Sequence, residues 1–421
     1  MQKTNSVKNG YKKTKFGLIP KDWKVKSLQD ASEKLWIGLV TTMTTNYVDE
    51  GVPLIKNSDI NPFGIIHKEL IHLDEEFARK HSNRSFKEGD IVTVHTGDVG
   101  VSAIIDKNLD GAIGFATLNT RWNPKEFHNE FVAYFFNSHR FLHTAVAYST
   151  GDGRQNLNLK DFRKFVIPVP SLPEQKKIAE LLSTWDRSIE RLEQLISKKE
   201  EIKKGLMQQL LSGKSRFSGF KKEWQRLPIE KIGDVIRGAS PRPKGDPKYY
   251  GGNIPRLMVE DVTRDGKYVT PKVDFLTEVG AEKSRFCRAG TLTVVCSGNV
   301  GTPSFLAVDA CIHDGFLGIR NLSEKINKDY LYYQILQLKD RLERSATHGG
   351  VFTNLTTTIL KEFVLPIPPI DEQKEIAKCL TMIDDEIFKY QKYLSKIKSQ
   401  KKGLMQQLLT GKTRVEVKQE S

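Results

Sequence analysis

IPVPSLPEQKKIAELL, running from Ile167 to Leu182, comes back 198 residues later as LPIPPIDEQKEIAKCL, from Leu365 to Leu380. The correspondence continues without a gap to GLMQQLLSGK, ending at Lys214, and GLMQQLLTGK, ending at Lys412. A repeat of this length fixes the organisation of the chain before any single residue is interpreted. In the first copy apolar residues fall at Ile178, Leu182, Trp185, Ile189, Leu192, Ile196, Leu206 and Leu210. In the second they fall at Ile376, Leu380, Ile383, Ile387, Tyr390, Leu394, Ile397, Leu404 and Leu408. Alternating steps of four and three are the seam of a coiled coil, so each copy predicts a helix of about 38 residues, roughly 57 Å long. Prolines at 168, 170 and 173, and at 366, 368 and 369, are expected to hold off the helix until each E-Q-K begins, and Gly213 and Gly411 to stop it. Lys199, Lys203 and Lys401 interrupt the seam. The acid string Asp384-Asp385-Glu386 reads as a solvated or partner-facing surface.

The segments ahead of the helices repeat more loosely. Phe16 to Trp23 leads into the first and Phe220 to Trp224 into the second. Val52-Pro53-Leu54-Ile55 corresponds to Ile254-Pro255-Arg256-Leu257, followed by Asp59 and Asp261. GDIVTVHTGDVG at Gly89–Gly100 corresponds to GTLTVVCSGNVG at Gly290–Gly301, each a buried strand entering a glycine-punctuated turn. STGDGRQNLN before the first helix answers ATHGGVFTNLT before the second. The reading is α+β: a basic arm at 1–15, a strand-rich domain at 16–166, a helix at 167–214, a second strand-rich domain at 215–364, a second helix at 365–412 and a tail at 413–421. The two helices are expected to pair as an antiparallel coiled-coil spacer.

Composition narrows the function. The 421 residues carry a formal charge of +15, with 38% hydrophobic and 28% charged residues. That balance suits a soluble protein with a polyanionic partner, because lysines and arginines that displace condensed counterions bind nucleic acid. No apolar run approaches the roughly 20 residues of a membrane span. The basic start lacks the apolar stretch of a secretory signal, and Cys287, Cys296, Cys311 and Cys379 form no C-x-x-C pair, so the cytoplasm is the expected location. GKS at Gly213 and GKT at Gly411 fail as phosphate loops, because Gln208 and Gln406 stand where the first glycine is required. Asn61-Pro62-Phe63 and Asp246-Pro247-Lys248-Tyr249 are incomplete as amino-methyltransferase elements. His139 and His143 have helical ligand spacing but no clear third ligand, so no metal site is expected. No catalytic residue is assigned.

Taken together, the duplicated I/LP-x-P with E-Q-K, the G-L-M-Q-Q-L-L-S/T-G-K endings and the G-A-S-P-R-P…Y-Y-G-G-N-I-P stretch at Gly238–Pro255 resemble the specificity subunits of type I restriction-modification systems. The first domain departs from that stretch, with Gly38-Leu39-Val40-Thr41-Thr42 in place of Gly238-Ala239-Ser240-Pro241-Arg242. The resemblance implies two target-recognition domains, each reading half of a bipartite asymmetric site in double-stranded DNA. It implies spacer helices that dock two methyltransferase subunits and restriction/translocase subunits, which bring S-adenosylmethionine, ATP and Mg2+. The chain itself would be non-catalytic and hold no cofactor. Alternatives are the DNA-binding scaffold of a methylation-only complex, and the recognition part of a self-sufficient restriction-modification enzyme, whose catalytic motifs are missing here.

Polar and cationic residues on glycine-rich turns are the expected DNA contacts, since a bare backbone can approach the duplex there. In the first domain these are Lys56, Asn57, His95, Thr96, Arg121, Arg154, Gln155 and Asn156. In the second they are Arg242, Lys244, Tyr249, Tyr250, Arg256, Ser297, Asn299, His348 and Asn354. Gln208, Gln209, Gln406 and Gln407, at duplicated outer positions of the helices, are the expected partner contacts.

Overall fold

The structure, a computed structural model, describes residues 9–151, 155–349 and 352–417. Both long helices form and both run 39 residues, Leu172–Leu210 and Ile370–Leu408. Every seam position named above is buried or half-buried. The chain divides into two units, residues 1–193 with 392–421 and residues 194–391, so the division passes through both helices. Each unit therefore holds one strand-rich domain, the start of the helix that follows it, and the end of the other helix.

In the first unit Ile178, Ala179 and Leu182 share a core with Leu408 and Leu409 and with an aromatic cluster that includes Trp122, Phe131, Phe135, Phe136 and Phe141. In the second, Ile376, Ala377 and Leu380 share a core with Met207, Leu210 and Leu211. Within each unit the helices run antiparallel, since partner numbers fall as residue numbers rise. Asp186 meets Lys401 and Glu193 meets Lys398 in the first unit, and Lys199 meets Glu386 at 2.7 Å and Lys203 meets Asp384 at 2.5 Å in the second. The seam lysines are thus ion-paired with the opposite helix. Asp384 and Glu386 are not free surface; they are the acids that make Lys203 and Lys199 tolerable beside an apolar seam.

The E-Q pairs explain why the repeat is so well kept. Gln175, fully buried, accepts from the His128 amide at 3.0 Å and donates to the carbonyls of Glu126 and Pro170 at 2.9 and 3.1 Å. Gln373 makes the same three bonds to Asn327, Lys325 and Pro368 at 2.8, 2.9 and 2.8 Å. Buried amides need such full satisfaction. Glu174 accepts from Trp23 Nε1 at 3.0 Å and from Arg414, and Glu372 accepts from Trp224 Nε1 at 3.1 Å and from Arg216. Arg414 lies in the stretch taken as a tail, so the chain remains anchored past the second helix. The stretch taken as a basic arm also departs from expectation: Tyr11–Thr14 pairs with Gly17–Pro20 as a hairpin, and the Tyr11 hydroxyl donates to the Gly411 carbonyl at 2.9 Å.

The prolines before each helix act differently from expected. Val166–Val169 pairs with Lys24–Ser27, and Val364–Ile367 with Gln225–Pro228, so Pro168 and Pro366 sit in two-stranded sheets. Pro173 lies in the first helical turn, where its missing N–H costs nothing.

The two domains share their sheet plan. In the first, strands run in the order Ser102–Ile104, Ile91–Val94, Thr117–Arg121, Lys34–Ile37. In the second, Pro303–Leu306, Leu292–Val295, Phe316–Arg320, Asp234–Arg237 repeat that order. A second sheet in each places a parallel pair side by side, Val52–Lys56 with Ile113–Phe115 and Tyr250–Leu257 with Ala310–Ile312. The edges differ: Tyr47–Val48 extends the first domain's sheet, and Arg285–Cys287 the second's. The second domain's first sheet adds Tyr268–Val269 beyond Pro303–Leu306, and the four shared strands carry the turns described next.

Candidate nucleic-acid interface

The strand Ile91–Val94 is buried along its length and enters the turn His95–Gly100; Leu292–Val295 enters Cys296–Gly301 in the same way. Gly97 and Gly298 adopt φ of +101° and +82°, a left-handed conformation that glycine takes without strain. Gly100 N–H returns to the Val94 carbonyl at 3.0 Å and Gly301 N–H to Val295 at 2.8 Å, closing equivalent turns. A Cβ at Gly100 would stand 2.7 Å from Ala145, and at Gly301 3.1 Å from Lys339, so both turns lie hard against the helix behind them. The turn is set by this packing rather than by solvent.

A second segment joins each turn from about sixty residues downstream. Leu157 N–H donates to the His95 carbonyl at 2.9 Å and Gly97 N–H to the Gln155 carbonyl at 3.0 Å. Leu355 N–H donates to the Cys296 carbonyl at the same 2.9 Å. Thr96 bridges Asn156, and Ser297 bridges Asn354. The repeated turn and the repeated pre-helix segment thus form one continuous backbone surface in each unit, with the same register.

The clamps that hold them differ. In the first unit Asn57 accepts from the His95 amide at 2.7 Å and donates to the Ala116 carbonyl at 3.0 Å. In the second, Arg237 donates to the Asp314 carbonyl and to Asn354 Oδ1, each at 3.2 Å.

Of the residues expected at DNA, His95, Thr96, Gln155 and Asn156 come together in the first unit, with Asn57 beneath them as a fastener. His95 is half-buried with its ring nitrogen 2.8 Å from the Thr96 hydroxyl, and Gln155 accepts from Ser149. Arg154 lies outside the described residues. In the second unit Ser297 and Asn354 meet, Asn299 is exposed at the turn, and His348 lies on the strand Thr347–Gly349 opposite Thr353. Arg242 and Lys244 are exposed on a separate loop, with Arg242 3.6 Å from Asp314. Tyr249 is half-buried beside Lys248, and the Tyr250 hydroxyl donates to the Pro241 carbonyl at 2.7 Å, bracing that loop. Lys56 leans toward Asp59 at 4.0 Å.

Arg121 and Arg256 do not belong to this surface. Arg121 forks onto buried Asp90 at 2.8 and 2.7 Å, and Arg256, 5% exposed, pairs with Asp274 at 3.1 Å beneath the Tyr250 ring. Each cation is paired with an acid of its own domain and stands apart from the turn. Two residues that the sequence reading passed over do belong: Arg237, as the second clamp, and Asp98, exposed where the second turn has Asn299. The aligned G-D-V-G and G-N-V-G strings were the signal for the latter.

Among the described residues no group of three or more His, Cys, Asp or Glu side chains is placed to hold a metal ion; His139 and His143 only stack on one helix. No helix is long and apolar enough to cross a membrane. Burial pushes His95, His128 and His313 below the ordinary imidazole value, and the Arg256 charge adds to the effect at His313. A folded state that binds fewer protons than the unfolded one gains stability as pH rises, so this contribution is complete above pH ~6.5 and is lost as pH falls below it. The urea midpoint should therefore drop between pH 7.5 and 5.5, and His128→Gln should flatten that slope. An unchanged slope would show that the buried imidazole does not drive it.

The sheet plan, the long helices packed antiparallel within each unit and the turn surface repeat from one unit to the other. The family described as Type I restriction modification DNA specificity domain matches residues 20–204 and again 221–398, and the chain belongs to that family. A relative from Methanocaldococcus jannaschii, designated the MjaX specificity subunit of a type I restriction enzyme, is 27% identical over 96% of this chain and 97% of its own length. The MjaIX specificity subunit of the same organism is 23% identical over the same shares. Among solved structures, a chain from work on assembly and conformational transition of the type I R-M system aligns with a TM-score of 0.59 at 18% identity, covering 94% of this chain and 99% of that one. The type I S subunit of M. genitalium aligns with a TM-score of 0.55 at 16% identity, covering 92% and 96%. These two share the fold.

Proposed function

We propose that the chain is the specificity subunit of a type I restriction-modification complex and that each unit reads one half of a bipartite, asymmetric site in double-stranded DNA. The observation that carries this reading is the duplicated surface of glycine turn and pre-helix segment, built at equal register in both units. Phosphate contacts from the basic chain would orient the duplex, while turn side chains meet base edges.

The chemistry belongs to partners: two methyltransferase subunits bringing S-adenosylmethionine, and restriction/translocase subunits bringing ATP and Mg2+. The exposed Gln208 and Gln209, and Gln406 and Gln407, support docking of two copies of one partner. Gln406 lines a groove of the first unit with Lys401, Lys402 and Met405, and Gln208 a groove of the second with Lys203, Lys204 and Met207. The complex works in the cytoplasm.

Selection from random-sequence DNA by the complete complex tests the reading. Two blocks of fixed bases separated by unread positions are expected, with affinity falling steeply as salt rises. A single uninterrupted block would contradict it. Cleavage of unmethylated sites in the presence of ATP and Mg2+ separates a restriction complex from a methylation-only one.

A further inference from the structure

An acid at the tip of a DNA-facing turn is out of keeping with a chain of net charge +15. Asp98 is such an acid. It follows Gly97 and precedes Val99 and Gly100, as Asn299 follows Gly298 and precedes Val300 and Gly301. The backbones share their turn-closing bonds: Val99 N–H reaches Gly97 at 2.8 Å and Val300 N–H reaches Gly298 at 3.0 Å, while Val94 and Val295 donate across the turn at 2.8 and 2.9 Å; the first turn adds Val101 N–H to the Asp98 carbonyl at 3.2 Å. Val99 and Val300 are both buried, which anchors the neighbouring residue and turns it outward. Asp98 and Asn299 are both exposed, and among the described residues neither side chain has a hydrogen-bond or ion-pair partner. Two near-isosteric side chains are thus presented by one backbone device in two readers.

Their chemistry differs in charge and in donor capacity. A carboxylate only accepts hydrogen bonds, whereas a carboxamide accepts through oxygen and donates through nitrogen. Facing phosphates, a carboxylate is repelled, so its place on this turn needs a compensating donor on the DNA. In the major groove adenine and cytosine present exocyclic amino groups, while guanine and thymine present carbonyl oxygens at the corresponding edge.

We propose that Asp98 and Asn299 are equivalent specificity-determining residues. Asp98 requires an amino base, adenine or cytosine, at one position of the first half-site, and Asn299, able to donate as well, sets one position of the second. This deepens the assignment of one reader to each half-site and rests on it. Asp98 acts as a filter against keto bases, because guanine O6 or thymine O4 would meet its carboxylate oxygen to oxygen. Asn299 can pair bidentately with adenine N6 and N7.

The test uses the complete complex and random-sequence DNA, with bound sites sequenced for the parent, Asp98→Asn, Asp98→Ala and Asn299→Asp. Asp98→Asn should admit a keto base at one position of the first half, changing its relative affinity about 5- to 150-fold and leaving the second half intact. Asp98→Ala should flatten preference at that same position. Asn299→Asp should exclude keto bases at one position of the second half only. If Asp98→Asn strengthened binding to all sequences alike with no change at any base, Asp98 would be a general electrostatic brake and the proposal would fall. Gln155→Ala in the same selection separates the two levels. A first half altered by Gln155→Ala but by neither Asp98 variant overturns this proposal alone, whereas a first half altered by none of them overturns the reader assignment as well.

Discussion

A fragment ending at Gly219 is expected to form a twofold dimer that recognises an inverted repeat of the first half-site. In the intact chain the first unit is closed by the end of the second helix, through Leu408 and Leu409 in the core, Lys401 against Asp186, and Arg414 against Glu174. The first helix ends in the same residues, Leu210, Leu211 and Lys203, followed by Arg216. A second fragment can supply them, and because the exchange is mutual the contact closes on itself. Two mismatches weaken it. Glu200 would face Glu193, where Lys398 now stands at 2.6 Å, and Lys199 would enter the place of buried Ile397. Lys199→Ile with Glu200→Lys should tighten the dimer about tenfold or more, most of it from burying the isoleucine. Sedimentation equilibrium measures the pairing, and methylome sequencing with the cognate methyltransferase reads the site. A folded fragment that stays monomeric even with both changes would show that the helix ends are not interchangeable.

Removing Arg414 should destabilise the protein well beyond the loss of an exposed ion pair. Its guanidinium reaches Glu174 at 2.6 and 3.0 Å and Asp22 at 2.9 and 2.8 Å, and Glu174 is 2% exposed. With alanine at 414 the buried carboxylate keeps only the Trp23 N–H among these donors, and breaking a buried pair costs about 3 to 5 kcal/mol. Because the arginine is itself 42% exposed, water recovers part of that, and about 2 kcal/mol is expected. Arg414→Lys should restore only part of it, since an ammonium cannot form the double fork. Lys177→Ala, which removes an exposed pair with Glu180, is the control and should change little. Urea titration followed by tryptophan fluorescence, which includes Trp23, measures all three. Equal effects of Arg414→Ala and Lys177→Ala would contradict the anchoring role.

The helices were legible in the sequence because their information is local and written twice: seam spacing, length and stop are all readable within one copy. Which helix end closes which unit was not. Glu174 has two arginines to choose between, Arg216 and Arg414, each three residues past a repeated glycine, and only the antiparallel packing within each unit selects the second. The seam lysines read as interruptions for a related reason. Lys203 and Asp384 are 181 residues apart, and no period within one helix reveals an acid on the other. At the interface, the glycine turns and pre-helix segments were found because they repeat. Arg121 and Arg256 were grouped with the turn residues because a strand-end cation looks alike whether it faces solvent or an acid of its own domain. Asp98 was missed because a charge rule set against a polyanion discards acids, although an acid is the side chain that can demand an amino group from a base.

The most direct test of the account is methylome sequencing of cells carrying the complete system with Gln155→Ala in one strain and Arg242→Ala in another. Gln155→Ala should relax or change bases in one block of the site only, and Arg242→Ala in the other block only, each lost base contact costing about 1 to 3 kcal/mol at a single position. Either substitution altering both blocks alike would contradict the assignment of one reader to each half-site.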